Sequence, residues 1–271
     1  MEQFEGRVAV VTGAASGIGR AMAARFAAEG MKVVMADIEA PALDAAIAEM
    51  PAGSEVVAVR CDVSSGDDIE ALRDAALDAF GAVHLVCNNA GVGGGGAMSA
   101  IDVDAWKWVI DVDLWSVIHG VRVFLPLLQA QGEGHIVNTA SVAGLFSAPF
   151  MGPYNIAKYG VVALSETLFS ELAMEKSPVG VSVLCPSWVR TNIATSMRNR
   201  PGVDPTAVDA IGELAQSFIA GGIDPDEVAG CVVDAVRGGQ FWIITHDDTD
   251  KAVSRRTSSI LDRSGPPMLM H

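Results

Sequence analysis

Positive charge is scarce in this chain. With 18 Lys and Arg against 33 Asp and Glu its formal charge is -15, so neither nucleic acid nor an anionic membrane surface is expected as a partner. Cysteine is equally sparse: Cys61, Cys87, Cys185 and Cys231 are scattered in apolar runs without a CxxC pair, which argues against both a disulfide framework and a zinc site. Reduced thiols point to the cytoplasm. No uncharged apolar run reaches the roughly 20 residues that span a bilayer. The start, MEQFEGRVAVVTG, is acidic and enters a strand-like run directly, without the basic segment and longer apolar core of a secretory signal.

What is present is an alternation. Apolar, often β-branched runs at 8–12, 32–36, 55–60, 83–88, 135–140, 179–185 and 241–245 are separated by helix-patterned segments. They predict a Rossmann-like, doubly wound, seven-stranded parallel sheet with helices on both faces. At 271 residues, half of them apolar, the chain can bury its core as one domain over 1–271. Ser64 with Asp67, and Asp224-Pro225 with Glu227, have the spacing of helix caps. Pro126 is expected to end or bend a long helix that starts near Asp104. A long connection over 187–223, with a short helix from about Asp204-Pro205 that includes Ile211, Leu214, Phe218 and Ile219, is the candidate substrate loop. The tail from about 246 is expected to be mobile or to reach another subunit.

The most informative loop is TGAASGIG. Gly13, Gly17 and Gly19 fall where a strand must turn tightly into a helix, whose first amide groups favour an anion such as a pyrophosphate. Asp37 closes the next strand, where its carboxylate suits the two ribose hydroxyls of an adenosine and repels a 2′-phosphate. Because no Arg or Lys occupies 14–18 or 38–40, NAD is preferred to NADP. Asp62 and Val63 end the third strand at the same edge, placed either for adenine or for an ordinary turn. The small residues of NNAG, Asn88 to Gly91, let the chain pass close to a flat ligand, and Asn89 can satisfy loop backbone. Gly93 to Gly96 are taken as a flexible connection without chemistry.

Tyr154 and Lys158 are four apart in GPYNIAKYGVVALSETLFSELAM, so both project from one helix face about a turn apart. Taken alone, such a pair is a core aromatic and a solvated cation. A tyrosine titrates near 10, so a phenol serving as base at neutral pH must fall by about three pH units, and a fixed ammonium beside it acts in that direction. Ser141 follows the buried-strand run GHIVNTA, at the carboxyl end where open parallel sheets bind ligands.

With TGAASGIG, Asp37, Asp62, NNAG, NTAS, YNIAK and PSWVRT in this order, the chain resembles the short-chain dehydrogenase/reductase family over nearly all of residues 6–245. The resemblance implies an NAD(P)-dependent oxidoreductase that interconverts a secondary alcohol and its ketone by hydride transfer, without a metal. Tyr154 would exchange the hydroxyl proton, Lys158 lower its pKa and bind the nicotinamide ribose, and Ser141 position the reacting oxygen. Cofactor contacts would come from Gly13, Ser16, Gly17, Ile18, Gly19, Asp37, Asp62, Val63, Asn89, Ala90, Gly91, Tyr154 and Lys158, with Pro186, Val189 and Thr191 around the nicotinamide. It also implies a homotetramer or homodimer built on two long helices, which suits the apolar segments 104–128 and 154–174.

Two residues depart from the family pattern. Asp113 stands where a fourth catalytic residue, Asn, is usual; it keeps the acceptor oxygens, loses the amide donor and, if ionised, stabilises the Lys158 ammonium while weakening its effect on Tyr154. Ser187 stands where Gly is usual after Pro186. Val142, Leu145, Phe146, Phe150 and Trp188, with the 187–223 loop, imply an apolar pocket and a hydrophobic substrate. Arg190, Arg198 and Arg200 are expected to be solvated, and His119 and His135 structural. The alternatives are an NADPH-dependent ketoreductase and a dinucleotide sensor that turns nothing over.

Overall fold

The computed structural model describes residues 1, 3–204 and 210–267. One parallel sheet of seven strands has the order β3-β2-β1-β4-β5-β6-β7, with β1 Val8–Thr12, β2 Lys32–Asp37, β3 Val56–Arg60, β4 Leu85–Asn88, β5 Gly134–Thr139, β6 Val179–Cys185 and β7 Trp242–Ile244. β1, β4, β5 and nearly all of β6 are buried, which is why they read as continuous apolar runs rather than alternating ones. The chain leaves β1 toward β2 on one side and returns to β4 on the other. That reversal opens a crevice at the strands' carboxyl ends.

Two apolar layers sandwich the sheet. On one face α1 Gly17–Ala28 packs with α8 Pro225–Gly238 around Met22, Phe26, Val232 and Val236. On the other, α3 Gly66–Phe80, α5 Ser116–Gln131 and α6 Gly152–Glu175 bury Ile69, Leu72, Phe124, Leu128 and Leu168. The expected capping box on α8 is present, with Asp224 as cap and Glu227 reaching back. On α3 the cap is one residue later than the spacing implied: Ser65 accepts from the Asp68 amide, while Ser64 donates to Asp62 in the preceding turn.

Pro126 neither ends nor breaks its helix. α5 continues to Gln131 and stops at Gly132, whose φ is 75°; Phe124 and Leu128, both buried, hold the helix on the core on either side of the lost amide bond. Between α4 Val103–Ile110 and α5, residues Asp111–Trp115 form a π-helical turn, a rare local widening that is frequent at functional sites. The long connection contains a 3-10 helix, Ile193–Asn199, and α7, Ala210–Ala220. The helix start expected at Asp204-Pro205 falls on 205–209, outside the described residues, as does Met268 of the tail. Instead of a loose tail, Thr249–Leu261 form α9, which sets Arg256 5.2 Å from the centroid of the Tyr159 ring on α6.

Candidate active site

Five parallel strand ends supply the site: Thr12, Asp37, Asn88, Thr139 and Cys185. Thr12 Oγ1 donates to the Cys87 carbonyl (3.3 Å) and accepts from the amides of Asn89 (2.9 Å) and Ala90 (3.1 Å). Asn89 answers with Nδ2 donating to the Thr12 carbonyl (3.0 Å), while its Oδ1 accepts from Thr139 Oγ1 (3.2 Å). Two side chains thus staple β1, β4 and β5 together. The sequence had marked Thr12 only as a strand end; its hydroxyl, which can donate and accept at once, was the overlooked signal.

The glycine loop leaves no room for β-carbons. Gly13 and Gly17 have φ of 67° and 53°; a Cβ on Gly13 would meet Ala90 Cα at 2.8 Å, one on Gly17 would meet Thr191 Cγ2 at 2.9 Å, and one on Gly19 would meet Asn89 Nδ2 at 2.7 Å. α1 begins at Gly17, and the Ser16 side chain makes no capping bond among the described residues, so the first amides of the helix are left for an anion. Ile18 packs against the core. Asp37 fixes the loop from below: Oδ2 accepts from the Ala15 amide (2.9 Å) and Oδ1 from the Glu39 amide (3.0 Å). These residues form a cradle that fits a dinucleotide pyrophosphate and its adenosine ribose. Asp62 Oδ1 holds the Ser64 amide and hydroxyl (3.0 and 2.6 Å) beside buried Val63, the geometry of a turn.

Ser141, Tyr154, Lys158 and Asp113 come together and are all buried. α6 carries Tyr154 and Lys158 on its inner face, where Lys158 Nζ lies 5.5 Å from the Tyr154 ring centroid and donates to the Thr139 carbonyl (3.2 Å). Ser141 Oγ accepts from the Ala143 amide (3.1 Å) and donates to the Pro186 carbonyl (3.4 Å). The π-helical turn places Asp113 behind Lys158: Oδ2 is 3.5 Å from Nζ and Oδ1 accepts from the Val92 amide at 2.7 Å. A Cβ on Gly91 would come within 3.4 Å of both Asp113 Oδ1 and Lys158 Nζ. Glycine there leaves the pair its space.

The electrostatics differ from expectation in sign. Burial pushes the Tyr154 phenol above its ordinary value; Lys158 and Ser141 oppose this, but the Asp113 carboxylate adds to the rise. Burial works against the Lys158 charge, yet Asp113 and Tyr154 outweigh it and hold the amine above its ordinary value. Burial likewise raises the Asp113 carboxyl against the pull of Lys158 and the Val92 amide. The lowered phenol expected from Lys158 alone is therefore not what this pocket produces. Desolvation and the Asp113 charge together exceed the effect of one ammonium.

Around this cluster Pro186 and Val189 are buried, and Thr191 abuts Gly17. The Ser187 amide donates to His246 Nδ1 (3.4 Å). A cavity of about 240 Å³ opens beside Pro153, lined by Gly94, Ile101, Trp108, Val109, Met197 and Arg200 among others. It is not the pocket expected from Val142, Leu145, Phe146, Phe150 and Trp188, none of which lines it; Trp188 instead stacks on Phe218, with ring centroids 5.1 Å apart. Of the glycine run Gly93 to Gly96, assigned no chemistry from sequence, Gly94 to Gly96 form part of the wall.

A sheet reversing at a glycine-lined cradle, with Ser, Tyr and Lys gathered at its edge, defines a nucleotide-dependent oxidoreductase class. The chain belongs to the short chain dehydrogenase family, whose model matches residues 7–202. A short chain dehydrogenase/reductase from Burkholderia phymatum, solved in complex with NAD, is 44% identical, with a TM-score of 0.94 and full coverage of both chains. The actinorhodin polyketide ketoreductase solved with NADPH is 32% identical, with a TM-score of 0.79 over 92% of this chain and 99% of that one. The 1-deoxy-11-beta-hydroxypentalenate dehydrogenase of Streptomyces avermitilis is 36% identical over 89% of this chain and 84% of its own length. The family uses a nicotinamide dinucleotide, and these neighbours include both forms. Among the described residues no helix is long and apolar enough to cross a membrane.

Proposed function

We propose that this chain interconverts a hydrophobic secondary alcohol and its ketone with NAD as coenzyme, as one dinucleotide-binding and catalytic unit. The observation that carries the reading is the burial of Ser141, Tyr154 and Lys158 in one cluster beside the glycine cradle. The coenzyme, when bound, supplies the hydride acceptor or donor. Tyr154 Oη takes the alcohol's hydroxyl proton in oxidation and returns it in reduction. Ser141 Oγ donates to the reacting oxygen as charge develops there, and the Lys158 ammonium favours the phenolate. Asp113 keeps that ammonium charged.

The preference for NAD rests on Asp37, whose carboxylate lies at the adenosine end and disfavours a 2′-phosphate; the Glu39 carboxylate two residues on is paired with Arg198 and adds no net charge there. The cavity beside Pro153 supports an apolar substrate body, because its one guanidinium, on Arg200, is already paired with Asp102 at 2.6 Å. Exposed Ile156 and Phe169 on α6 and Trp115 before α5 support a dimer or tetramer joined through these helices. Scarce, unpaired thiols, three of the four buried, support the cytoplasm.

A second reading, a dinucleotide sensor without turnover, draws on the raised Tyr154 phenol and on Asp113. A panel of secondary alcohols with NAD, followed by NADH absorbance, separates the two. Turnover with some member, lost in Tyr154→Phe while that variant still binds NADH, is the expected result; NADH binding without turnover across the panel, or turnover by Tyr154→Phe, would overturn the assignment.

A further inference from the structure

The segment 190–200 follows β6 and carries three arginines, each of them ion-paired: Arg190 is exposed as expected, whereas Arg198 and Arg200 are partly buried. Arg190 Nη2 pairs with Asp224, Arg198 with Glu39 and Arg200 Nη2 with Asp102, with shortest distances of 2.6 Å each. Asp224, Glu39 and Asp102 are the cap residues of three different helices, α8, α2 (Ala40–Ala48) and α4. The segment is laced to the carboxyl edge of the sheet at three places. Two further contacts lie between the laces: Thr191 packs on Gly17, and Ser196 Oγ accepts from the Gly93 amide at 2.8 Å.

Arg198 holds the lace that spans the cradle. Its Nε and Nη2 meet Glu39 Oε1 and Oε2 at 2.6 and 3.1 Å, a two-bond fork across 159 residues of sequence. Nη1 donates back to the Thr195 carbonyl (2.9 Å) and hydroxyl (3.0 Å), which stiffens the segment behind the fork. The guanidinium holds the Glu39 carboxyl below its usual value, against burial. Since Glu39 follows Asp37 by two residues and Thr191 touches Gly17, a dinucleotide laid from the α1 start to Asp37 lies along the span that these contacts close.

We propose that the Arg198–Glu39 pair is a clasp that closes residues 190–200 over the coenzyme cleft and limits how fast the dinucleotide leaves. Arg198 and Glu39 are positioning residues, acting through the segment they fasten. The proposal rests on the reading of the cleft as a nicotinamide dinucleotide site. Side chains of the pair are 29% and 24% exposed, so the clasp is partly screened and of moderate strength. It opens without unfolding the core.

NADH release, chased with excess NAD in a stopped-flow fluorimeter, tests this in the parent, Glu39→Gln, Arg198→Gln and the double variant. Each single variant is expected to release NADH about fivefold faster, and the double no faster than either single, because both remove one interaction. Melting temperatures should stay within about 2 °C of the parent, as for a surface pair. Raising salt to about 0.5 M should accelerate the parent more than the variants. Parent-like release from both single variants, or two effects that multiply in the double, would overturn the clasp. A parent that binds neither NADH nor NADPH would instead overturn the functional reading beneath it.

Discussion

The Lys158 ammonium sits 3.5 Å from Asp113 Oδ2, with side-chain exposures of 3% and 0%. Desolvated to this degree, each charge depends on the other. The Asp113 carboxylate raises the Tyr154 phenol while Lys158 lowers it, so the pair sets the pH range over which phenolate forms. Asp113→Asn preserves an acceptor for the Val92 amide and removes the negative charge. The acid limb of the oxidation rate is then expected to move to lower pH, because the charge that helps to raise the Tyr154 phenol is gone. Asp113→Leu strands the ammonium and should cost about 3–5 kcal/mol of stability. A pH-rate profile of Asp113→Asn superimposable on the parent's would remove the electrostatic role from Asp113.

Asp37 has two tasks in one carboxylate: it anchors the glycine loop through the Ala15 amide and places a negative charge at the adenosine end. Asp37→Ala is expected to weaken NADH binding about tenfold, the worth of one hydrogen bond to a charged acceptor. NADPH binding should fall less or improve, because the repulsion goes with the charge. Titrating both coenzymes by fluorescence gives the ratio. A preference for NADH unchanged from the parent would place the discrimination elsewhere.

The strands and the glycine loop were legible because their cause is local: strands buried on both faces are continuous apolar runs, and a strand turning at once into a helix needs residues such as Gly13 at φ 67°. Tyr154 and Lys158 were legible for the same reason, since four residues make one helical turn. What stayed hidden depends on distant packing. The Arg198–Glu39 fork joins residues 159 apart, and the inward turn of Asp113 needs a π-helical insertion that the run WVIDVDLW does not announce. The sign of the Tyr154 perturbation belongs here too, because it sums burial with two opposed charges from separate elements. Pro126 does not mark a helix end for the converse reason: a strong local rule was overridden by the burial of Phe124 and Leu128.

His135, at the start of β5, provides a pH test of the fold that is separate from the candidate chemistry. It is 1% exposed, and burial pushes its imidazole down to about 3. Its Nε2 is 2.8 Å from Ser182 Oγ, and that hydroxyl donates its own proton to the Gln240 carbonyl at 2.6 Å. The imidazole must therefore be the donor to Ser182, which assigns the neutral Nε2–H tautomer. Because the folded-state value lies below the unfolded value of about 6.5, the unfolded chain takes the proton first as the pH falls. This contribution is intact above about pH 6.5 and is lost progressively toward about pH 3. Between pH 7 and pH 5 the loss from this one group is about 2 kcal/mol. His135→Gln keeps a donor for Ser182 and cannot titrate, so the gap in unfolding free energy between parent and variant, measured with denaturant, should narrow by about that amount over the same interval. A gap independent of pH would mean that His135 takes up its proton as readily in the folded chain as in the unfolded one, and that burial does not hold its imidazole down.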